Sequence, residues 1–330
     1  MSPRHRRLLP YLALLVIWIV WGSTYMFISI VVREMPPFAA ACLRFMASGL
    51  VMAGVAAVVD RGKGRPSLRQ VADYALVGIL LLSIGNALVM WSEKRIPSGI
   101  AALIVAAVPL YLTFFDGLRR GGQPWTRRVW LGVVVGLMGV ALVARPEGGM
   151  RPGHWGAVIA LQVATLSWTF GSLYAQSLPK KLPLATAAAI EMVAGSLALA
   201  LESLLAGETP MLVLQASGTA WLALLYLAVF GSLVGFTAFA YCLNELPAST
   251  VGTYAYVNPI VAVTLGALFL HEPLSPGMLA GGALIVAAVV LTTLRRAPAR
   301  PRADEAPAPV LVRKPVAEPA LVEEPVCTAR

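Results

Sequence analysis

Residues 9–32 read LPYLALLVIWIVWGSTYMFISIVV, twenty-four positions without one charged side chain. About twenty such residues cross the ~30 Å hydrocarbon core of a bilayer as a helix. At that depth every backbone N–H and C=O must be bonded within the segment itself. Arg4, Arg6 and Arg7 precede the stretch and give it a superficial likeness to a secretory signal. It is too long for one, and it ends in Val31-Val32-Arg33-Glu34 with no small-residue cleavage site. We read it as a retained first transmembrane helix behind a short cytoplasmic leader, residues 1–8.

Working outward, the rest of the 330-residue chain has the same character: 58% of residues are hydrophobic and 13% charged, with a mean hydropathy of +0.76. Soluble domains carry about a quarter charged residues. A water-soluble fold could not hide this much apolar surface, so the bilayer is the solvent. Further spans are expected at 37–59, 71–92, 97–117 and 128–145, then at 154–176, 184–206, 219–243, 247–270 and 277–295. Their limits come from breakers and charges such as Met35-Pro36-Pro37, Pro179-Lys180-Lys181, Leu246-Pro247 and His271-Glu272-Pro273. Pro97 and Pro247 mark turns so tight that the flanking helices nearly join.

Lys and Arg alternate with these spans. With the N-terminus inside, the cytoplasmic loops hold the leader arginines, Arg61, Lys63, Arg65, Arg69, Arg119, Arg120, Arg127, Arg128, Lys180, Lys181 and four arginines after the last span. Those are seventeen, against five (Arg33, Lys94, Arg95, Arg145, Arg151) on the other side. The alternation fits ten helices with both termini cytoplasmic. Because the cations sit in short clusters between apolar runs, the net charge of +10 reads as a topology signal and not as a nucleic-acid surface. The three cysteines form neither a disulfide framework nor a metal pair. Residues 297–330 are rich in Pro, Ala and Glu without periodicity, the composition of a disordered cytoplasmic tail.

The chain also repeats. A shift of 150 places Pro97 on Pro247, Pro109 on Pro259, Gly85 on Gly235 and Gly132 on Gly282; a shift of 146 places Met46 on Met192 and Gly49 on Gly195. Residues 9–145 and 154–295 are thus expected as two five-helix repeats. Five is odd, so the second begins from the opposite face of the membrane. The fold class expected is an all-α membrane protein of ten transmembrane helices in two inverted five-helix repeats, an arrangement many secondary transporters use for alternating access.

Trp21-Gly22-Ser23-Thr24-Tyr25, Leu43-Arg44-Phe45, Leu246-Pro247-Ala248-Ser249-Thr250, Asn258-Pro259-Ile260 and Glu272-Pro273-Leu274 follow one another in an order that resembles the drug/metabolite transporter superfamily, specifically its EamA-type ten-helix members. The resemblance covers roughly residues 10–295. It implies a multi-pass inner-membrane carrier, usually an exporter of metabolites or amino-acid-like solutes, with a central cavity between its halves. It does not imply a substrate.

Charged and polar residues at membrane depth are the candidate site. Arg44 lies eight residues past Pro36, roughly 10 Å into its helix, and reads either as a counter-charge for an anionic group or as a structural tie. Glu191 is the other clear intramembrane charge. Its readings are proton coupling, cation binding or pairing with Arg44, although the depths of the two oppose a direct pair. Trp21 and Tyr25 share a face of the first helix with Trp18, and Trp168 is their counterpart in the sixth. Asn86, Tyr254 and Asn258 are polar at membrane depth and serve either as glue between helices or as solute contacts. Pro109 and Pro259 are expected to kink the fourth and ninth helices at matched points. The first, third, fourth, sixth, eighth and ninth helices would line the cavity.

Gly132 and Gly136 form a Gly-x-x-x-Gly face that suits close packing or a homodimer. His271-Glu272 opens like a zinc motif, but Ser275 stands where the second His belongs. No enzyme signature, metal site or cofactor is expected. The partners expected are lipid, a small-molecule substrate and a coupling proton. The alternative reading is a non-transporting polytopic receptor or assembly subunit.

Overall fold

The computed structural model describes residues 3–118, 125–145, 153–179, 181–246, 248–251 and 253–293. The expected tail, Arg119, Arg120 and Pro247 lie outside them. Among the described residues every regular element is helical. Seven helical stretches are long and apolar enough to cross a membrane: Leu8–Glu34, Pro37–Val59, Leu68–Glu93, Ser98–Asp116, His154–Ser177, Leu184–Leu205 and Gly218–Phe239. Tyr254–Phe269 and Pro276–Thr292 are apolar but shorter. A sixteen-residue helix reaches about 24 Å at 1.5 Å per residue, short of a full crossing. Helix length alone therefore does not reach the expected ten.

In chain order the helices are α1 (Pro3–Glu34), α2 (Pro37–Val59), α3 (Leu68–Gly78), α4 (Ala87–Glu93), α5 (Ser98–Val105), α6 (Val108–Asp116) and α7 (Arg127–Val143). They continue with α8 (His154–Ser177), α9 (Leu184–Leu205), α10 (Gly218–Tyr226), α11 (Gly235–Glu245), α12 (Ala248–Val251), α13 (Tyr254–Phe269) and α14 (Pro276–Thr293). Wider π-helical turns, Ile79–Asn86 and Leu227–Val234, join α3 to α4 and α10 to α11. Such turns are rare and tend to occur at functional sites.

The fourth expected span is broken. A turn at Ala106–Ala107 separates α5 from α6, with Pro109 in the first turn of α6, where its missing N–H costs least. Pro259 lies inside α13, and the break in that region precedes Tyr254. At position 259 proline still cannot donate to the carbonyl of Ala255, nor can Pro109 donate to that of Val105.

α2 packs on α9, α7 on α14 and α1 on α13. The outer surface is apolar, with Leu50, Val58, Leu201, Leu205 and Leu222 all exposed, as a lipid-facing surface requires. The Gly-x-x-x-Gly face is occupied within the chain. A Cβ on Gly132 would sit 2.2 Å from Thr292 Cγ2, and one on Gly136 would sit 3.4 Å from Ala288 Cβ. Both targets lie on α14, so this face is not free for a second copy. One turn on, a Cβ on Gly139 would meet the carbonyl oxygen of Gly281 at 2.7 Å and the backbone nitrogen of Ile285 at 3.0 Å. Backbone atoms cannot step aside as a flexible side chain can. Gly139→Leu is expected to lower stability by about 1–3 kcal/mol, read as an earlier unfolding midpoint on titration with denaturing detergent.

Among the described residues, three helices begin behind a proline that offers no side-chain cap: Pro36 before α2, Pro97 before α5 and Pro183 before α9. Their orphan N–H groups are bonded by carboxylates from far along the chain. Phe38 N and Ala39 N donate to Glu208 Oε1 and Oε2 at 3.1 and 2.8 Å. Ser98 N and Gly99 N donate to Glu272 Oε1 and Oε2 at 2.8 and 3.1 Å. Thr186 N donates to Asp60 Oδ2 at 3.1 Å. A fourth acid, Glu34, accepts from Ser217 N and Ser217 Oγ at the start of α10. The Lys63 ammonium and the Thr186 hydroxyl hold the Asp60 carboxyl below the ordinary carboxylate range. Negative charge at a helix start also meets the positive end of its dipole. These contacts gather the connections after α1, α4, α9 and α13 at one end of the bundle, and those after α2 and α8 at the other.

Candidate functional site

Inside the bundle lies a cavity of about 130 Å³. Seven of the eight expected contact residues line it: Trp21, Tyr25, Arg44, Asn86, Trp168, Tyr254 and Asn258. Pro109 and Pro259 line it too, as do Val105 and Ala255, whose carbonyls those prolines cannot serve. Glu191 does not. It sits where α9 crosses α3, and the bare Cα of Gly78 lies so close that a Cβ there would meet the carbonyl oxygen of Glu191 at 2.1 Å. No part of α9 reaches the cavity, whereas α2, which was not among the expected lining helices, supplies Arg44 and Phe45.

Arg44 is 4% exposed. Its Nε donates to Ser232 Oγ at 3.1 Å and its Nη1 to Asn86 Oδ1 at 3.3 Å. Ser232 lies in the second π-helical turn and Asn86 ends the first, so one guanidinium is tied to both. Its Cζ stands 4.7 Å from the ring centre of Phe45. A Cβ on Gly231 would lie 3.0 Å from Nη2. Two of the five guanidinium N–H donors are used in these bonds. Both partners are neutral, and among the described residues no carboxylate pairs with Arg44: the ion pair seen is Lys63–Asp60. The possible Arg44–Glu191 pair is not formed.

The walls around this cation are aromatic. Trp21 meets Tyr254 edge to face at 5.3 Å and Phe236 at 6.0 Å. Its Nε1 donates to the carbonyl of Gly231 at 3.2 Å. Gly235 makes room for this indole, because a Cβ there would fall 2.3 Å from Trp21 Nε1. Asn258 faces the framework: the carbonyls of Tyr254 and Trp18 lie 3.1 and 3.2 Å from its side-chain amide, which satisfies both when its nitrogen is assigned to that side. Trp18 itself is not among the residues that line the cavity; it packs in the cluster around Leu14 and Ile17, which Trp21 and Tyr254 also join. Missing from the expectation were Thr24, Thr165 and the anchor Ser232. A serine or threonine at membrane depth signals little, because its hydroxyl bonds the carbonyl one turn back, as Thr165 does to Leu161 O at 2.6 Å.

A bundle with an apolar exterior and an internal cavity holding an unneutralised cation is the architecture of a multi-pass membrane transporter. Comparison with known proteins is more specific: the EamA-like transporter family matches residues 8–145 and 155–294. The chain belongs to that family. It is 39% identical over 303 residues to the "Uncharacterized inner membrane transporter YedA" of Escherichia coli (strain K12), covering 90% of this chain and 96% of that one. It is 27% identical over 256 residues to the "Probable terminal-alkyne amino-acid exporter" of Streptantibioticus cattleyicolor, covering 75% and 82%. A solved structure described as "Crystal structure of protein" shares the fold, with a TM-score of 0.59 at 20% identity over 86% of this chain and 96% of that one.

Proposed function

We propose that this transporter is a secondary carrier that exports a small organic solute through the central cavity by alternating access. Its ten helices form two inverted five-helix repeats in the inner membrane, with both termini cytoplasmic. The observation that carries this reading is Arg44. A guanidinium buried at membrane depth without a counter-ion is costly. Its remaining donors and aromatic surroundings suit a solute with a carboxylate and an apolar body, as an amino acid or a metabolite acid has. Supporting the repeat are the π-helical turns at corresponding points of the two halves, the reciprocal capping of α2 by Glu208 and of α9 by Asp60, and the two consecutive family matches. The cytoplasmic termini draw on the charge alternation, and the exporter direction on a relative named as an amino-acid exporter.

Counterflow tests the proposal. Proteoliposomes loaded with a panel of amino acids and carboxylate metabolites are expected to exchange at least one labelled member faster than empty liposomes. Failure across the panel in protein that binds none of its members would favour a receptor or assembly subunit instead.

A further inference from the structure

A second cavity, about 560 Å³, opens at the end of the bundle where Glu272 caps α5. Glu93, the last residue of α4, stands in its wall. It is 5% exposed, and neither carboxyl oxygen has a hydrogen-bond partner. Val89, one turn earlier on the same helix, lines the central cavity. Glu93 is thus one helical turn, about 6 Å, beyond the proposed solute site, between that site and the vestibule. Tyr25 on the cavity side and Glu272 on the vestibule side lie within electrostatic reach of it.

A carboxylate shut off from the vestibule without a donor is costly, so this arrangement demands a ligand for it. The surroundings choose which. Arg33, Lys94, Arg95 and Arg145 line the vestibule, and their field opposes a metal ion or an ammonium group. Among the described residues no cluster of three metal-binding side chains exists. The neighbouring Glu272 is committed to Ser98 N and Gly99 N, and His154 Nε2 is bonded to the carbonyl of Ala144 at 2.8 Å; His271 is exposed. A proton satisfies the carboxyl without added volume. When the carboxyl opens to the vestibule's water, the same four cations stabilise the ionised form.

We propose that Glu93 is a proton-binding site whose occupancy is linked to closure of this end of the bundle, making the proton the coupling ion of the carrier. The assignment rests on the carrier reading above and moves the coupling carboxyl from Glu191 to Glu93. A proton that binds the closed state better than the open one favours closure by that difference in affinity. The proton leaves to vestibule water, and the carboxylate left behind is solvated by it and faced by the cations.

Infrared difference spectroscopy of the purified full chain in lipid nanodiscs, titrated from acid to alkaline buffer, tests this with the proton as the only probe. A protonated carboxyl C=O band is expected in wild type and lost on alkalinisation. Glu93→Gln, isosteric with the neutral acid, is expected to remove one component of this absorption and Glu93→Asp to shift it; that component survives Glu191→Gln, which removes only what Glu191 itself contributes. Identical spectra in wild type and both Glu93 variants would overturn the proposal, as would a band that responds to sodium chloride at constant pH. Because the titration needs no solute, its failure leaves the carrier reading untouched. Absent counterflow in wild type would instead sink the carrier reading while the proton site stood.

Discussion

Arg44→Gln is expected to weaken solute binding about a hundredfold while the protein still folds. Glutamine retains polar atoms near Asn86 and Ser232, so the tie between the two π-helical turns is weakened and not left as two bare buried groups. What disappears is the charge and the forked donor set. Truncating one partner of a desolvated, hydrogen-bonded charge pair costs about 2–5 kcal/mol, and about 2.7 kcal/mol is a factor of a hundred. Arg44→Lys restores the charge without the planar fork and is expected to recover part of the loss. The check is the concentration dependence of counterflow, with the unfolding midpoint measured on the same preparations. If Arg44 were only structural, the midpoint would fall and the surviving folded protein would transport with unchanged affinity.

Glu208→Ala and Glu272→Ala are expected to be the most destabilising changes at the ends of the bundle. Each removes two charge-assisted bonds to the first N–H groups of a helix whose proline cannot replace them. Losing an N-cap costs about 0.5–2 kcal/mol, and hydrogen bonds to charged groups contribute about 1.5–3 kcal/mol, so a loss of about 2–3 kcal/mol is expected for each. Glu272→Gln keeps an acceptor for one N–H and should lose roughly half as much. Glu34→Ala, at an exposed position, should lose less than either, because water serves the freed donors there. Unfolding by denaturing detergent in mixed micelles, followed by circular dichroism, gives the ranking. An Ala variant of Glu272 no less stable than the Glu34 variant would show that the carboxylate–helix contact contributes nothing.

Much of the site was legible from the residues because polar groups stand out against an apolar background. Arg44, Asn86, Tyr254 and Asn258 drew notice by their depth and Trp168 as the counterpart of the first helix's aromatics, and one cavity collects them. Depth does not fix the rotation of a helix about its own axis. Glu191 shares that depth, yet it is not among the residues that line the central cavity. The π-helical turns leave no mark in side-chain type: Ile79-Leu80-Leu81-Leu82 reads as an ordinary apolar run, yet Arg44 is anchored to the end of that turn. The carboxylate caps join residues as far apart as 183 positions, beyond any local pattern. A proline at a helix start together with a lone acid in a distant loop was their available sign. Glu93 lies just past the expected span 71–92 and drew no notice; burial is what distinguishes it from Lys94 beside it. Gly132 and Gly136 were read correctly as a packing face, but glycine spacing does not name the partner, which is α14 of the same chain.

The central claim is that the cavity around Arg44 is the solute path and opens to each side of the membrane in turn. Val105→Cys, in a chain whose native cysteines are replaced by alanine, places a thiol in the wall of that cavity beside the break between α5 and α6. Labelling with a membrane-impermeant thiol reagent is then measured in vesicles of both orientations, with and without the solute found by counterflow. Reaction from both sides, slowed by solute, is the result predicted. A thiol that reacts from one side alone, at a rate the solute leaves unchanged, would contradict it.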